Sequence, residues 1–367
     1  MDMDKAPIVV EFDGWLEQLV GGEGSDLHVK VGSAPMIRLP DGLFRLERAP
    51  LMPEETQTIA EGIIPADRMQ KFKDLGEIDF AYSLPDIGRF RVNVFRQRGS
   101  TSMVLRKLRF GGPSFEEVGL PEAVRNIADE HRGLILVTGP TGSGKTTTLA
   151  AMIDYINKTK AVHIVTVEDP IEVLHKDHLA SINQREIGND TMDFLAALRA
   201  ALRQDPDVIL IGEMRDTETV RAAIAAAETG HLVMSTLHTV DATETVNRVI
   251  DFFPPYQQKQ VRLALAGTLR GIICQRLVPT VDGGRVPGLE ILINNGRVAE
   301  RISDPERTHE LKDVIAEGGY YGMVTFDQSM LELLKDGKIT VESAMKSVSN
   351  QHDFQLAMQQ AGLSVPV

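Results

Sequence analysis

Apolar residues recur along this chain at two different periods, and the change from one to the other divides it. Phe12, Trp15, Leu16 and Leu19 are spaced for one face of a helix, which predicts an amphipathic helix over 8–20 ended by Gly21, Gly22 and Gly24. Alternation follows. Leu27, Val29 and Val31 point one way and Asp26, His28 and Lys30 the other, as in a half-buried strand, with turn signals at 32–35 and 40–42. A short helix around 54–70 and strand-like runs at 78–84, 89–96 and 102–108 complete a small α+β domain, residues 1–110. Gly111, Gly112, Pro113 and Ser114 then open a linker, 111–118. Beyond it the strand-like runs lose their polar alternation. Apolar stretches at 134–138, 163–167, 208–211, 232–236, 272–278 and 288–293, with helical segments between several of them, predict a sheet covered by helices on both faces over 119–295. The remainder, 296–367, reads as helical. Thr325 and Gln328 have capping-box spacing ahead of an apolar stripe, Phe326, Met330, Leu333 and Leu334, and 341–363 predicts one or two more helices packed against the core.

The run GPTGSGKTT, Gly139 to Thr147, fits the phosphate-binding pattern G-x-x-x-x-G-K-[ST] without a mismatch. Its glycines let successive backbone N–H groups face one anion, Lys145 adds a charge, and Thr146 offers a hydroxyl to Mg²⁺. The strand at 134–138 feeds this loop and a helix over 145–157 turns its N-terminus to the phosphates. Gly139, Thr141, Gly142, Ser143, Gly144, Lys145, Thr146 and Thr147 are therefore the candidate nucleotide-binding residues, with Thr146 the candidate metal ligand. With the βα alternation around it, the loop predicts a RecA-like P-loop ATPase domain binding ATP and Mg²⁺.

Hydrolysis needs a carboxylate to orient water and cations to offset transition-state charge. Glu213, after the apolar run 208–211, is the candidate for activating water, although Gly212 stands where a Walker B aspartate is usual. Glu168 and Asp169 close the run 163–167, where two carboxylates either support a metal-bound water or merely begin the turn at Pro170. His238 follows the run 232–236 at its carboxyl end, in position to sense a γ-phosphate, whereas His231 lies at the other end. Seven basic residues, Arg89, Arg91, Arg96, Arg98, Arg106, Lys107 and Arg109, fall between Asp86 and Phe110 against one acidic residue. They form either a solvated strand face or a source of arginine fingers acting in trans.

Composition narrows the partners. With 52 acidic and 39 basic residues the net charge is −13, which disfavours nucleic acid. A lone cysteine, Cys274, excludes an internal disulfide and a cysteine-based zinc knuckle, fits a reducing cytoplasm, and is expected in the core. The acidic N-terminus MDMDK lacks an apolar segment, and no run suits a bilayer span, so membrane contact is expected only through a partner.

Several longer motifs occur in one order: GSDLHVKVG at 24–32, GRFRVNVFRQRGS at 88–100, the stretch from Val167 to Asp216, and AAETGHLVMSTLHT at 226–239. Together they resemble the type IV pilus retraction ATPases, called PilT-like, of the secretion-ATPase superfamily, over nearly the whole chain. The resemblance implies a PAS-like N-terminal domain, a RecA-like C-terminal domain and a homohexameric ring with ATP at the domain interface. It implies an Asp box at 166–172 with Glu168 its acid, Glu213 as the Walker B glutamate after a tolerated glycine, and a His box with His231 and His238 at the nucleotide. It also implies that Arg91, Arg96 and Arg106 reach a neighbouring site. One stretch departs from the pattern: Val298 to Glu310 does not spell the AIRNLIR-like helix of the best-known retraction motors. The expectation is a cytoplasmic motor at the inner face of the membrane, driving pilus disassembly through an inner-membrane platform protein, with a paralogous pilus ATPase as a further partner. An assembly or secretion motor is the alternative, disfavoured by the single cysteine and by chain length, and a nucleotide-gated regulatory subunit with little turnover is another.

Overall fold

The structure, a computed structural model, describes residues 5–348 and 350–363. The chain divides into two compact units, Met1–Arg109 and Phe110–Val367. In the first, six antiparallel strands pair in the order Gly42–Arg45, Met36–Leu39, Asp26–Val29, Ser100–Lys107, Gly88–Gln97 and Glu77–Leu84. Helices Pro7–Gly21, Pro53–Ile63 and Met69–Leu75 bury their apolar faces on this sheet, with Phe12, Leu16, Ile59 and Phe72 against Phe90, Val92 and Leu105. The helix predicted over 8–20 is present. The one predicted at 54–70 is two helices, because Pro65 and the turn after it interrupt the segment. Alternation along Gly88–Gln97 sends Phe90, Val92 and Val94 into the core and leaves Arg91 exposed on the far face.

The second unit is built on seven strands in the order Ser181–Glu186, His163–Glu168, Val208–Ile211, Leu232–Leu237, Gly133–Thr138, Leu269–Pro279 and Arg285–Ile293. All neighbours are parallel except the last pair. The strands Gly133–Thr138 and Leu232–Leu237 are buried at every position, which is why they read as largely apolar runs, with Thr138, Ser235 and Thr236 as their buried hydroxyls. Alternate residues feed two cores. Leu134, Leu136, Ile209 and Val233 face helices Thr217–Glu228, Ala242–Asp251 and Pro255–Thr268. Ile135, Val137, Leu210 and Met234 face helices Glu122–Ala128 and Lys145–Thr159. This is the doubly covered α/β sheet that the sequence predicts. The strand Ser181–Glu186 escaped the sequence reading, since an edge strand whose one apolar residue is Ile182 carries no apolar run, and Met36–Leu39 and Gly42–Arg45 of the first unit escaped it too.

The C-terminal helices Phe326–Lys335, Val341–Ser347 and Gln351–Gln360 close a smaller core in which Met330, Ala344, Phe354 and Met358 meet Val278. Thr325 and Gln328 do form the capping box. Among the described residues no helix is long and apolar enough to cross a membrane.

Beside the phosphate-loop strand, Glu290 stands opposite Cys274 on the antiparallel pair and is buried. Its carboxylate accepts a hydrogen bond of 2.8 Å from the Ala242 N–H, tying helix Ala242–Asp251 to the sheet. Burial pushes the Glu290 carboxyl up to about 7 from 4.5, with nearby Asp241 adding to the rise and the Ala242 N–H opposing it. Burial likewise pushes the fully buried Cys274 thiol up. Below the ordinary pKa of 4.5 both folded and unfolded chains keep the Glu290 proton; between there and about 7 the unfolded chain releases it and the folded one does not. Stability from this group is therefore lost as pH rises through that window, by on the order of 3 kcal/mol. Substituting Glu290→Gln should flatten this part of the profile, so that urea melts of the two proteins diverge in the variant's favour as pH rises. A stability difference that stays constant with pH would contradict the buried, protonated carboxyl.

Candidate active site

Parallel pairing decides which residues meet. Val167 lies beside Ile211, Ile211 beside Ser235, and Leu237 beside Thr138. The residues that follow these positions, Glu168, Gly212 and Glu213, His238, and Gly139, therefore emerge along one edge of the sheet. They surround a cavity of ≈ 690 Å³ lined by Thr141, Gly142, Gly144, Lys145, Thr146 and Thr147 on one side and by Glu168, Asp169, Glu213, Arg215 and His238 on the other. A carboxyl-end crevice is where ligands bind in sheets of this kind.

The phosphate loop enters helix Lys145–Thr159 through Gly144, whose φ of 91° is left-handed. Gly139 has φ 141°, and a Cβ there would sit 2.3 Å from the Gln275 carbonyl oxygen, so both its conformation and its packing demand glycine. Lys145 donates to the carbonyls of Gly139 at 2.8 Å and Pro140 at 3.0 Å. Burial lowers the pKa of its ammonium, with Glu213 acting against the shift. Gly139 and Ser143 do not line the cavity; they shape the loop from behind.

Glu213 sits in the short segment between Ile211 and the Asp216-capped helix Thr217–Glu228, and that segment is pinned to the next strand. Ser235 Oγ donates to the Ile211 carbonyl at 2.8 Å and Thr236 Oγ1 to the Gly212 carbonyl at 2.6 Å. Both carboxylate oxygens of Glu213 are engaged: Oε1 lies 3.2 Å from His238 Nε2, and Oε2 accepts from Arg215 Nε at 2.8 Å. Arg215 also lies 3.9 Å from Asp169. Gly212 has no room to spare, since a Cβ would lie 3.2 Å from the Val167 carbonyl oxygen and 3.4 Å from the Phe194 ring.

Glu168 accepts from Thr166 Oγ1 at 2.7 Å and from Gln184 Nε2 at 3.1 Å. Burial raises its carboxyl above the ordinary value, and these two donors oppose the rise. Gln184 also donates to the Val173 carbonyl at 2.9 Å and accepts from the His175 N–H at 2.8 Å, so one amide fixes both the acid and the segment that walls the cavity. Sequence reasoning missed Gln184 and Arg215; only the Arg215 spacing, two residues after the glutamate, offered a signal.

His231 is not among the lining residues. It directly precedes the strand Leu232–Leu237, which His238 follows at the other end, and its ring Nδ1 lies 3.0 Å from the Ala226 carbonyl oxygen. In the first unit the register places Arg91 directly opposite Arg106, on the exposed face. Arg106 Nε donates to Asp26 Oδ1 at 2.9 Å. Arg96 falls on the other parity and stacks over the Phe72 ring, 5.8 Å from its centroid, so the three arginines do not share a face.

Among the described residues no group of three or more His, Cys, Asp or Glu side chains could hold a metal ion. A Mg²⁺ held by one threonine hydroxyl together with phosphate oxygens and water does not need such a group, and Thr146 on the cavity wall fits that donor set.

A phosphate loop at the carboxyl edge of a doubly covered parallel sheet, faced by a glutamate and a histidine from the next two βα turns, defines a P-loop ATPase of the RecA-like class. The model of the Type II/IV secretion system protein family matches residues 56–353, and the chain belongs to that family, in its PilT-like branch. It is 42% identical over 330 residues to the type IV pilus retraction ATPase PilT of Pseudomonas aeruginosa, covering 90% of this chain and 96% of that one. It is 41% identical to the type IV pilus ATPase PilU of the same organism, covering 95% of this chain and 92% of that one. A crystal structure of the pilus retraction motor PilT with bound ADP superposes with a TM-score of 0.83 at 44% identity, covering 95% and 98% of the two chains.

The close approach at Gly139 gives a direct check. A Gly139→Ala substitution should cost about 1–3 kcal/mol from the backbone conformation alone, and more from the overlap with Gln275. It should lower the urea midpoint of the isolated protein. An unchanged midpoint would mean that the loop does not run against that strand.

Proposed function

We propose that this chain is an ATP-hydrolysing ring motor that powers type IV pilus retraction. The observation that carries the reading is the convergence of the phosphate loop with Glu168, Glu213 and His238 on one cavity. Lys145 and the loop amides hold the β- and γ-phosphates. Glu213, held on one oxygen by Arg215 and facing His238 on the other, orients a water for in-line attack on the γ-phosphorus and takes its proton as the β–γ bridge breaks, giving ADP and phosphate. Thr146 would hold a Mg²⁺ ion, which would supply neutralisation of phosphate charge when bound. Glu168 lies where it can orient water from the opposite wall, and Arg91, Arg96 and Arg106 are the candidate donors to a neighbouring copy, Arg91 and Arg106 together and Arg96 from another face. Six copies in a ring at the cytoplasmic base of the pilus, acting on an inner-membrane platform protein, complete this reading.

One observation favours an accessory retraction motor that works beside a paralogous ATPase. In the segment Val298–Glu310, where the best-known retraction motors carry their AIRNLIR-like helix, Arg307 pairs with Glu300 at 2.6 Å and Glu310 at 3.0 Å, and Arg301 with Glu310 at 3.0 Å. These arginines are paired with glutamates of the same segment. The PilT and PilU relatives, at 42% and 41%, match equally well.

Steady-state ATP hydrolysis across a protein-concentration series tests the motor. Turnover per protomer should rise steeply as rings form, since an arginine supplied in trans is worth about 10³–10⁵ in rate. The Glu213→Gln variant should bind ATP yet lose about 10²-fold or more of the rate. Rates independent of assembly, or a fully active variant, would remove this mechanism. In cells, deletion should leave surplus pili that do not retract; bald cells would mark an assembly motor instead, and retained retraction the accessory one.

A further inference from the structure

The phosphate loop has glycines on both sides of Ser143, with φ of 78° at Gly142 and 91° at Gly144. The Ser143–Gly144 peptide turns over through ψ of Ser143 and φ of Gly144, and the second of these hinges is a glycine already at positive φ. Ser143 offers no anchor through its side chain, because its hydroxyl is buried without a hydrogen-bond partner. What fixes this peptide comes from another strand. Gln275 follows Cys274, which pairs with Thr138 at the end of the phosphate-loop strand, and is only 1% exposed. Its Nε2 donates to the Ser143 carbonyl at 2.6 Å, and its Oε1 accepts from Thr148 Oγ1 at 2.9 Å. The same Nε2 would lie 3.0 Å from a Cβ on Gly144, and Gln275's own carbonyl oxygen lies against Gly139. Gln275 does not line the cavity; it grips the loop from behind.

From this geometry we infer that Gln275 is a positioning residue for nucleotide phosphates, acting through the Ser143–Gly144 peptide. A backbone carbonyl only accepts, so the Ser143 oxygen compels the amide to present its NH₂ there; the Oε1 then faces Thr148, whose hydroxyl donates. In a trans peptide the N–H points away from the C=O. Holding the Ser143 carbonyl toward Gln275 therefore aims the Gly144 N–H the other way, into the cavity, where a diphosphate or triphosphate would accept from it. Without the clamp, the carbonyl could turn its negative end toward the same phosphate. The inference rests on the reading of this loop as a nucleotide site.

The test uses the full chain and ADP as probe, with variants Gln275→Met, which keeps length but loses both bonds, and Thr148→Val, which removes only the second partner. Gln275→Met should weaken ADP binding about tenfold or more, the scale of an unsatisfied buried carbonyl, and raise KM for ATP more than it lowers kcat. Thr148→Val should weaken ADP binding by a smaller factor, about threefold, because the bond to Ser143 remains. A folded, ring-forming Gln275→Met protein that binds ADP within twofold of the unsubstituted chain would overturn the inference. Should that variant not fold, unchanged ADP affinity in Thr148→Val would overturn it as well. Failure of the unsubstituted chain to bind ADP would instead overturn the nucleotide reading itself.

Discussion

Parallel hydrogen bonding between strands is the constraint on which the rest of the structure depends. Residues from four separate segments, Lys145 of the phosphate loop, Glu168, Glu213 and His238, reach one cavity only because the strands preceding them run the same way in matched register. A slip of one residue in Val208–Ile211 would exchange the two faces of that strand, moving Ile209 out of one core and Leu210 out of the other. The apolar runs that build the two cores are thus also what locates the chemistry. Stability and site geometry are one problem here.

Within that frame, orientation comes from polar groups that are buried, as Gln275 and Glu290 are, or half-buried, as Gln184 is. Gln184 fixes Glu168 and the segment beside it, Gln275 fixes the back of the phosphate loop, and Glu290 fixes the N-terminus of the helix that follows His238. Each carries a desolvation cost that only satisfied hydrogen bonds offset. What such groups add is direction: an apolar side chain fills the same space without specifying which way a peptide or carboxylate faces. Glu290 shows the cost most openly, because burial is strong enough to move its pKa to about 7.

Much of this was legible in the sequence, and the limits have physical reasons. The phosphate loop could be read because its chemistry demands glycine, lysine and threonine at fixed spacing. The central strands could be read because burial on both faces leaves largely apolar runs. Glu213 followed from its place after such a run. The edge strand Ser181–Glu186 could not be read, since with one side exposed it has neither an apolar run nor clean alternation. Gln184 and Gln275 were invisible for a related reason: a polar residue in a strand looks solvated until pairing shows what lies beside it. Period-2 alternation already separates Arg96 from Arg91 by parity, but that Arg91 faces Arg106 required the register of an antiparallel pair joined across a turn.

The charge of the cavity bears on why such a motor should work as an assembly. Its walls carry four carboxylates, Glu168, Asp169, Glu172 and Glu213, against two permanent cations, Lys145 and Arg215. Arg215 is spent on Glu213 and lies near Asp169, and Lys145 is partly desolvated. A triphosphate entering this space meets a field of its own sign, so the cations that balance it have to come with it or from another molecule. A divalent ion answers part of that need. In the proposed ring, basic residues on the exposed sheet face of the first unit, Arg91 among them, would answer the rest from a neighbouring copy without burying a permanent charge in the isolated chain, whereas Arg106 is already paired with Asp26. In the ring proposed above, an electrostatically incomplete cavity of this kind would tie hydrolysis to subunit contact. Such coupling would let each catalytic event act through the geometry between neighbours, which is the physical requirement for turning ATP hydrolysis into movement around a ring.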